Sequence, residues 1–321
     1  MRSRPKEQPT YPPQPGQSDA DQDAEKAAER AKVTVREMDT VADLLLVAEL
    51  FSRIWDAPDV APMPHDLMRS MVHAGGGVHA AFHSGHLAGA CVAIFGPPAD
   101  AGAYSLIAGV SPGAEGQGIG LALKLAQRAW ALRAGARRMT WTFDPLLRRN
   151  ARFNITRLGA VVSEYLVDFY GEIADGVNDP ETDRLAVVWD LEASLPAPDH
   201  SSARPDSSEP GDEDELPAIL VAGQDGEPVV RPADGGADGE RAARPGLDIG
   251  ARPGAASGRS GRLRCWIPED ILSARRSNPE LARRWRFAVR ETLGGALTDG
   301  YEVTGVMEPG WYVLQRPQAG S

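Results

Sequence analysis

The run from Ser111 to Leu121 constrains the fold of this chain more than any other stretch. Glycine stands at positions 116, 118 and 120, between an apolar segment that ends at Val110 and a segment with leucines and alanines at helical spacing. Because glycine lacks a Cβ, the backbone can take left-handed conformations there and approach a ligand closely. The run therefore predicts a strand, a tight turn and a long amphipathic helix in direct succession.

Such a turn predicts an anion site. The start of a helix carries unpaired backbone N–H groups and the positive end of the helix dipole, so a diphosphate is its natural ligand. We expect the amides from Gly116 to Leu121 to be the donors. The spacing matches neither the dinucleotide fingerprint Gly-x-Gly-x-x-Gly nor the P-loop with its Gly-Lys-Ser/Thr end. A turn that only connects a strand to a helix is the alternative.

The hydrophobic periodicity between residues 32 and 191 predicts a strand, two helices, three strands, a helix, a strand, a helix and two strands. This order implies an α+β (α/β) unit, with a mixed, mostly antiparallel sheet flanked by helices. In the segment 262–317, Asn278-Pro279-Glu280 predicts a helix start, and Glu308-Pro309-Gly310 a hairpin turn. We expect this C-terminal helix-hairpin extension to dock on the 32–191 domain, since about 55 residues form a marginal core alone.

Two segments have a composition that disfavours folding. Residues 1–31 are rich in Pro, Gln, Asp and Glu and poor in large apolar side chains, which predicts a disordered tail. Residues 192–261 are rich in Pro, Gly and Ser and carry fourteen acidic residues against six arginines, hence most of the net charge of −11. We interpret this second segment as a disordered acidic linker.

The sequence also limits location and partners. No apolar run reaches the roughly 20 residues of a membrane span, and no signal-like apolar region follows Arg2 and Arg4. Cys91 and Cys265 lack metal-ligand spacing and fit a reduced compartment. The histidines of the predicted hairpin have no carboxylate or cysteine beside them. We therefore expect a cytoplasmic protein without a metal and without membrane binding.

Arginines are concentrated near the C-terminal helix, and we interpret them as a solvated basic face. Nucleic-acid binding is the less favoured alternative, and we expect no nucleic-acid partner. The arginines concerned are Arg275, Arg276, Arg283, Arg284, Arg286 and Arg290.

The glycine-rich run resembles the acetyl-CoA motif of the GNAT superfamily, Gln/Arg-x-x-Gly-x-Gly/Ala, with Gly118 and Gly120 at its two small positions. Its first position holds Glu115 where the family has Gln or Arg, so a contact to phosphate is missing. A second likeness follows: Asn150 matches the residue that commonly binds the pantetheine arm in the family. The usual tyrosine, often the general acid, falls at Ile155, so standard acid catalysis does not carry over.

A narrower likeness is to an uncharacterised bacterial branch of predicted GNAT acyltransferases. It rests on the run Trp141–Leu146, the run Arg149–Ala151 and the run Thr182–Leu185. In that branch the C-terminal tail, with Trp285-Arg286 and Tyr312-Val313-Leu314, belongs to the same unit. The likeness covers residues from about 33 to 191 and from 262 to 316.

The resemblance implies the GNAT fold and a direct transfer of acetyl from acetyl-CoA to a primary amine, without a metal. The cofactor-binding residues it implies are Ala108, Val110, Glu115, Gly116, Gln117, Gly118, Ile119, Gly120, Leu121 and Asn150. Our first candidate for the general base is Asp144, whose other role would be to cap the following helix; Tyr165, Tyr170 and Glu164 stand behind it.

A second class of function stays open. Glu115 and Ile155 depart from the family pattern and favour, as the alternative, a degenerate GNAT domain that binds acyl-CoA as a non-catalytic regulatory or interaction module. Many GNAT proteins form homodimers, so the resemblance leaves a homodimer open as well.

Overall fold

The computed structural model describes residues 17–59, 61–97, 100–171, 181–197, 216–232, 241–242 and 261–317. The chain divides into two compact units between Met139 and Thr140. No helix among the described residues is long and apolar enough to cross a membrane.

The first unit is a sheet with helices. Its elements are α1 (Gln17–Arg30), β1 (Val33–Glu37), α2 (Val41–Ile54), α3 (His65–His73), β2 (Gly77–His83), β3 (His86–Phe95), β4 (Gly102–Val110), α4 (Ile119–Arg133) and the start of β5 (Arg138–Phe143). The strand order is β1-β2-β3-β4-β5, and the pairs β1–β2, β2–β3 and β3–β4 are antiparallel. The apolar face of α2, including Leu44, Val47 and Phe51, is buried in one core with Val78 and Val92 of the sheet.

Helix α1 corrects the prediction that residues 1–31 form a disordered tail. Residues 17–30 are helical, while residues 1–16 lie outside the described part of the chain. Ala20, Ala27 and Ala31 recur at helical spacing and are buried, and α1 packs against α4. Two ion pairs join these helices, Asp23 with Arg128 at 3.1 Å and Asp21 with Arg133 at 2.6 Å. An alanine face and distant partners therefore order a segment that has few large apolar residues.

The second unit carries the end of β5 and a second sheet. Its elements are α5 (Arg148–Ala151), a π-helical turn (Arg152–Arg157), β6 (Val161–Leu166), β7 (Arg184–Asp190), β8 (Ala218–Ala222), β9 (Pro228–Val230), β10 (Arg241–Ala242), β11 (Arg262–Trp266), α6 (Ile271–Ser277), α7 (Pro279–Val289), a second π-helical turn (Arg290–Gly294), α8 (Gly295–Thr298), β12 (Glu302–Met307) and β13 (Trp311–Gln315). The strand orders are β5-β7-β6 and β10-β9-β8-β11-β13-β12.

Strands β8, β9 and β10 correct the prediction that residues 192–261 are a disordered linker. Strand β8 pairs with β11 in parallel and with β9 in antiparallel, and Ile219, Leu220 and Val230 are buried. Apolar side chains concentrated in these short runs pack in the sheet although the surrounding composition is acidic. The acidic run Asp212–Glu215 lies outside the described residues.

The C-terminal segment folds as predicted and contains more than a helix and a hairpin. Asn278 caps α7 by accepting a hydrogen bond from the N–H of Leu281 at 3.1 Å, with Pro279 in the first turn. Strands β12 and β13 pair in antiparallel around Glu308-Pro309-Gly310. Strand β11 and helix α6 were not predicted, and β11 joins the hairpin to β8.

The predicted element order from residue 32 to residue 191 is confirmed, and so is the α+β class with a mixed sheet flanked by helices. The two cysteines are free and buried, one in each unit.

Candidate functional site

The loop between β4 and α4 has the backbone that its glycines predict. Gly116 has φ +79 and Gly118 has φ +85, a conformation that other residues adopt only at a cost. A Cβ added at Gly116 would meet nothing within 4 Å, so the backbone conformation, rather than crowding, is what calls for glycine there. The predicted residues Glu115, Gly116, Gln117 and Gly118 are all exposed.

The start of α4 is open to an anion. Gly118 is its N-cap and makes no side-chain capping hydrogen bond, and the first turn contains no acidic residue. Ile119 is buried, whereas Gly120 and Leu121 are half-buried. The helix continues for 15 residues to Arg133, so its first N–H groups stand at the positive end of a full-length dipole.

Two polar side chains of this loop form hydrogen bonds with the loop backbone. The carboxylate of Glu115 accepts a hydrogen bond from the N–H of Gly113 at 3.1 Å, and the amide of Gln117 donates to the carbonyl of the same residue at 3.3 Å. These bonds give Glu115, which stands where the acetyl-CoA motif that this run resembles has Gln or Arg, a partner inside the loop. Its charge still lies next to the proposed phosphate position and opposes an anion there.

The predicted strand residues lie in β4. Ala108 pairs with Cys91 and Val110 with Gly89 of β3; Ala108 is exposed and Val110 half-buried. Beneath them, Lys124 of α4 donates to the hydroxyl of Ser105 at 2.8 Å. Burial lowers the pKa of Lys124 to about 8. This buried hydrogen bond fixes α4, and with it the loop, against β4.

Asp144, the first candidate for a general base, is buried in the second unit. Its Oδ2 accepts from Arg275 at 2.5 Å and from Arg286 at 2.8 Å, and its Oδ1 accepts from the N–H of Leu146 at 2.9 Å. Burial opposes ionisation most strongly, yet the charges of Arg286 and Arg275 hold the pKa of Asp144 well below its usual range. A carboxylate that holds its charge this firmly is a weak base, so the geometry favours a structural role.

Tyr165 and Tyr170 have opposite environments. Tyr165 is buried and donates to Asp183 at 2.7 Å, and burial followed by the Asp183 charge raises its pKa well above the usual value. Tyr170 is 49% exposed, with its hydroxyl 3.4 Å from that of Thr142. Among the three predicted catalytic side chains, Tyr170 is the accessible one. Asn150, predicted to bind the pantetheine arm, is exposed on α5.

The interpretation of the C-terminal arginines as a solvated face is wrong for three of them. The side chain of Arg275 is 6% exposed and pairs with Asp144. Arg286 is 0% exposed and bonds Asp144, and Arg290 is 8% exposed and bonds Asp183 at 2.6 Å. For Arg286 and Arg290, the four-residue spacing beside the buried Trp285 and Val289 was the available signal, since residues four apart in a helix share a face, here the apolar one.

Comparison with known proteins gives structural likenesses alone. No family model matches the sequence, and no curated protein matches it. Solved structures that are similar include one described as a GNAT-family acetyltransferase from Desulfovibrio desulfuricans, at 16% identity over 50% of this chain and 99% of that one, with a TM-score of 0.40. Another is yncA from Salmonella typhimurium, solved with its cofactor acetyl-CoA, at 18% identity over 53% of this chain and 99% of that one, with a TM-score of 0.40.

A third is the ribosomal-protein-S18-alanine N-acetyltransferase from Escherichia coli, at 14% identity over 50% of this chain and 96% of that one, with a TM-score of 0.42. The GNAT family that the sequence resembles is thus also the family named among similar solved structures.

Proposed function

We propose that this chain is an acyl-CoA-dependent N-acyltransferase of the GNAT type, which transfers an acetyl group from acetyl-CoA to a primary amine. One observation carries the proposal: glycines with positive φ lead into the uncapped N-terminus of α4, whose first turn carries no acid. The resemblance of this run to the acetyl-CoA motif supports the same donor. The backbone N–H groups from Gly118 to Leu121 would bind the pyrophosphate.

The chemistry asks little of the side chains. A neutral amine attacks the thioester carbonyl, the C–N bond forms and the C–S bond breaks. The amine nitrogen loses one proton, and the leaving thiolate gains one and departs as CoASH. The chain contributes mainly positioning and stabilisation of the developing negative charge. In this proposal, Ala108 and Val110 offer backbone groups along the pantetheine arm, and Asn150 binds that arm.

Proton handling falls to Tyr170 in this proposal. Its hydroxyl is accessible, and the guanidinium of Arg184 lies 5.1 Å from the centre of its ring. Asp144 and Tyr165 are occupied by buried hydrogen bonds to Arg286 and Asp183. We also propose a cytoplasmic location, which the two buried free cysteines support.

The burial of Asp144 and Tyr165 favours a second candidate function, a GNAT domain that binds acyl-CoA without turnover. Two of the three predicted catalytic side chains, Asp144 and Tyr165, serve ion-pair networks in the second unit. A non-catalytic module needs the loop before α4 and no acid or base.

Titration calorimetry of the full chain with acetyl-CoA, followed by a free-thiol assay with a panel of primary amines, tests both candidates. We expect saturable binding, and sustained CoASH release that Tyr170→Phe slows. Binding without release on any amine would favour the module. No heat of binding at millimolar acetyl-CoA would overturn the donor site and both candidates with it.

A further inference from the structure

A cavity in the second unit gathers arginines that the proposed reaction does not use. It measures about 440 Å³, and its charged lining consists of Arg148, Arg149, Arg152, Arg157, Glu269 and Glu308. This volume is in the range of cavities that hold small organic ligands, roughly 300 to 1,000 Å³. Positive charge therefore exceeds negative charge around a space large enough for a ligand.

The π-helical turn after α5 brings two of these arginines together. The N–H of Leu158 donates to the carbonyl of Phe153, five residues back, at 3.0 Å. In an α-helix, residues five apart point about 140° away from each other. In a π turn, a residue and the fifth residue after it lie on the same side, one turn apart. Arg152 and Arg157 therefore both reach the cavity. Such turns are frequent at functional sites.

Some of the arginines that line the cavity have partners within the described residues and others do not. Arg152 forms an ion pair with Glu308, and Arg148 donates to the carbonyl of Ile267 at 2.6 Å. Within the part of the chain that the structure describes, Arg149 and Arg157 are exposed and form no ion pair or side-chain hydrogen bond. Two guanidinium groups are thus left for a ligand.

Arg148 also lines the cavity, although its Nε packs against Gly310 and is not available to a ligand in the cavity. The Nε of Arg148 is buried and has no hydrogen-bond partner among the described residues. The ring of Phe153 adds an apolar wall to the cavity.

We propose that this cavity binds a small organic molecule that carries a phosphate group, held by Arg149 and Arg157 with its apolar part against Phe153. Guanidinium forks match phosphate oxygens in pairs, and one phosphate has enough acceptors for both arginines. The phosphate could belong to a second ligand or to the 3′-phosphate of the donor, and the experiment below separates these sources. The proposal does not depend on acyl transfer.

Calorimetry with AMP and with adenosine, which lacks the phosphate, tests the proposal on the full chain. The test variant is Arg149→Gln/Arg157→Gln, and the matched control is Arg69→Gln/Arg276→Gln, which removes two exposed arginines outside the cavity. We expect AMP to bind better than adenosine and the test variant to weaken AMP by about tenfold or more. The control should stay within about twofold of the wild type. Circular dichroism verifies that each variant is folded.

Acetyl-CoA separates the two sources. AMP uptake that persists at saturating acetyl-CoA identifies a second ligand. If acetyl-CoA displaces AMP, and the test variant weakens acetyl-CoA more than dephospho-acetyl-CoA, the bound group is the donor's 3′-phosphate. If the chain binds AMP and does not bind acetyl-CoA, the result supports the phosphate site in the cavity and refutes the acetyl-CoA site at the loop before α4. A test variant that matches the control for both AMP and acetyl-CoA overturns the proposal.

Discussion

The loop before α4 and the charged interior of the second unit use polar groups in opposite ways. In the loop, Gly116 and Gly118 leave backbone N–H groups exposed at the start of a helix. In the interior, Asp144 and Asp183 are buried and take hydrogen bonds from Arg286 and Arg290. A ligand site needs groups left for the ligand, whereas groups bonded to each other stabilise the fold. This difference is the reason for our proposal that the loop binds the ligand, whereas the interior stabilises the fold.

The largest effect we predict is on the interior. Asp144→Asn should lower the free energy of unfolding by about 3 kcal/mol or more, because it removes the carboxylate that Arg275 and Arg286 share. The exposed pair of Asp100 and Arg138, at 3.8 Å, provides the control: Asp100→Asn should cost less than about 0.5 kcal/mol. Urea denaturation followed by circular dichroism measures both.

The same variant can break the comparison. If Asp144→Asn leaves the unfolding free energy unchanged and abolishes CoASH release, Asp144 is the general base after all. The ion pairs of Asp144 would then adjust its pKa for catalysis, and the interior of the second unit would not be purely structural.

A second prediction concerns Lys124, which anchors α4 beneath the loop. Burial lowers its pKa from 10.5 to about 8, so between these pH values the unfolded chain holds a proton that the folded chain has released. Raising the pH through this window therefore favours the folded state, by up to about 3 kcal/mol. Lys124→Met should lack this rise, so the unfolding free energy of the wild type minus that of the variant should increase from pH 8 to pH 10.5.

Denaturation of the two proteins across this pH range tests the prediction. Cys91, whose pKa burial raises to about 12, lowers stability above pH 9, and its charge interacts with that of Lys124. Both proteins should therefore carry Cys91→Ala, so that the difference between them reports Lys124. A difference that does not change with pH would show that the Lys124 amine is not desolvated.

A third prediction concerns the loop and uses two glycines of similar conformation. Gly118 at the start of α4 has φ +85, and Gly135 beyond its end has φ +88. Alanine at either position should cost about 1 kcal/mol of stability. Gly118→Ala alone should also weaken acetyl-CoA, by about tenfold, because relaxation of the strained backbone turns the binding amides. If the two variants bind acetyl-CoA with equal affinity, the loop does not form part of the acetyl-CoA site.

The comparison also separates what the sequence could and could not predict. The loop, the cap at Asn278 and the element order from residue 32 to residue 191 depend on neighbours a few residues apart, and all were predicted. The bond from Arg286 to Asp144 joins residues 142 apart, and no local pattern indicates it. Asp144 precedes a proline, as a capping residue often does, and this local signal hid its distant partners.

The ordered parts of the two low-complexity segments were missed for related reasons. Composition averaged over residues 192–261 hides the apolar run Ala218–Ala222, whose hydrogen bonds go to β9 and to the distant β11. Helix α1 has no large apolar side chain, and its partner α4 follows about a hundred residues later: Asp23 and Arg128 are 105 positions apart. Only the fold shows that alanines suffice at that contact.

The smallest effects on the free energy of unfolding should come from the two ion pairs that join α1 to α4. One of these pairs is half-buried and the other is exposed. The side chain of Arg128 is 4% exposed and that of its partner Asp23 is 35% exposed, while Arg133 and Asp21 are exposed at 44% and 43%. Asp23→Asn should cost about 1 kcal/mol, and Asp21→Asn about 0.3 kcal/mol, since water screens the second pair. Added salt should erase the cost of Asp21→Asn and leave most of that of Asp23→Asn. Equal, salt-sensitive losses would mean that the alanine face alone positions α1, and that Arg128 gains nothing from its burial beside it.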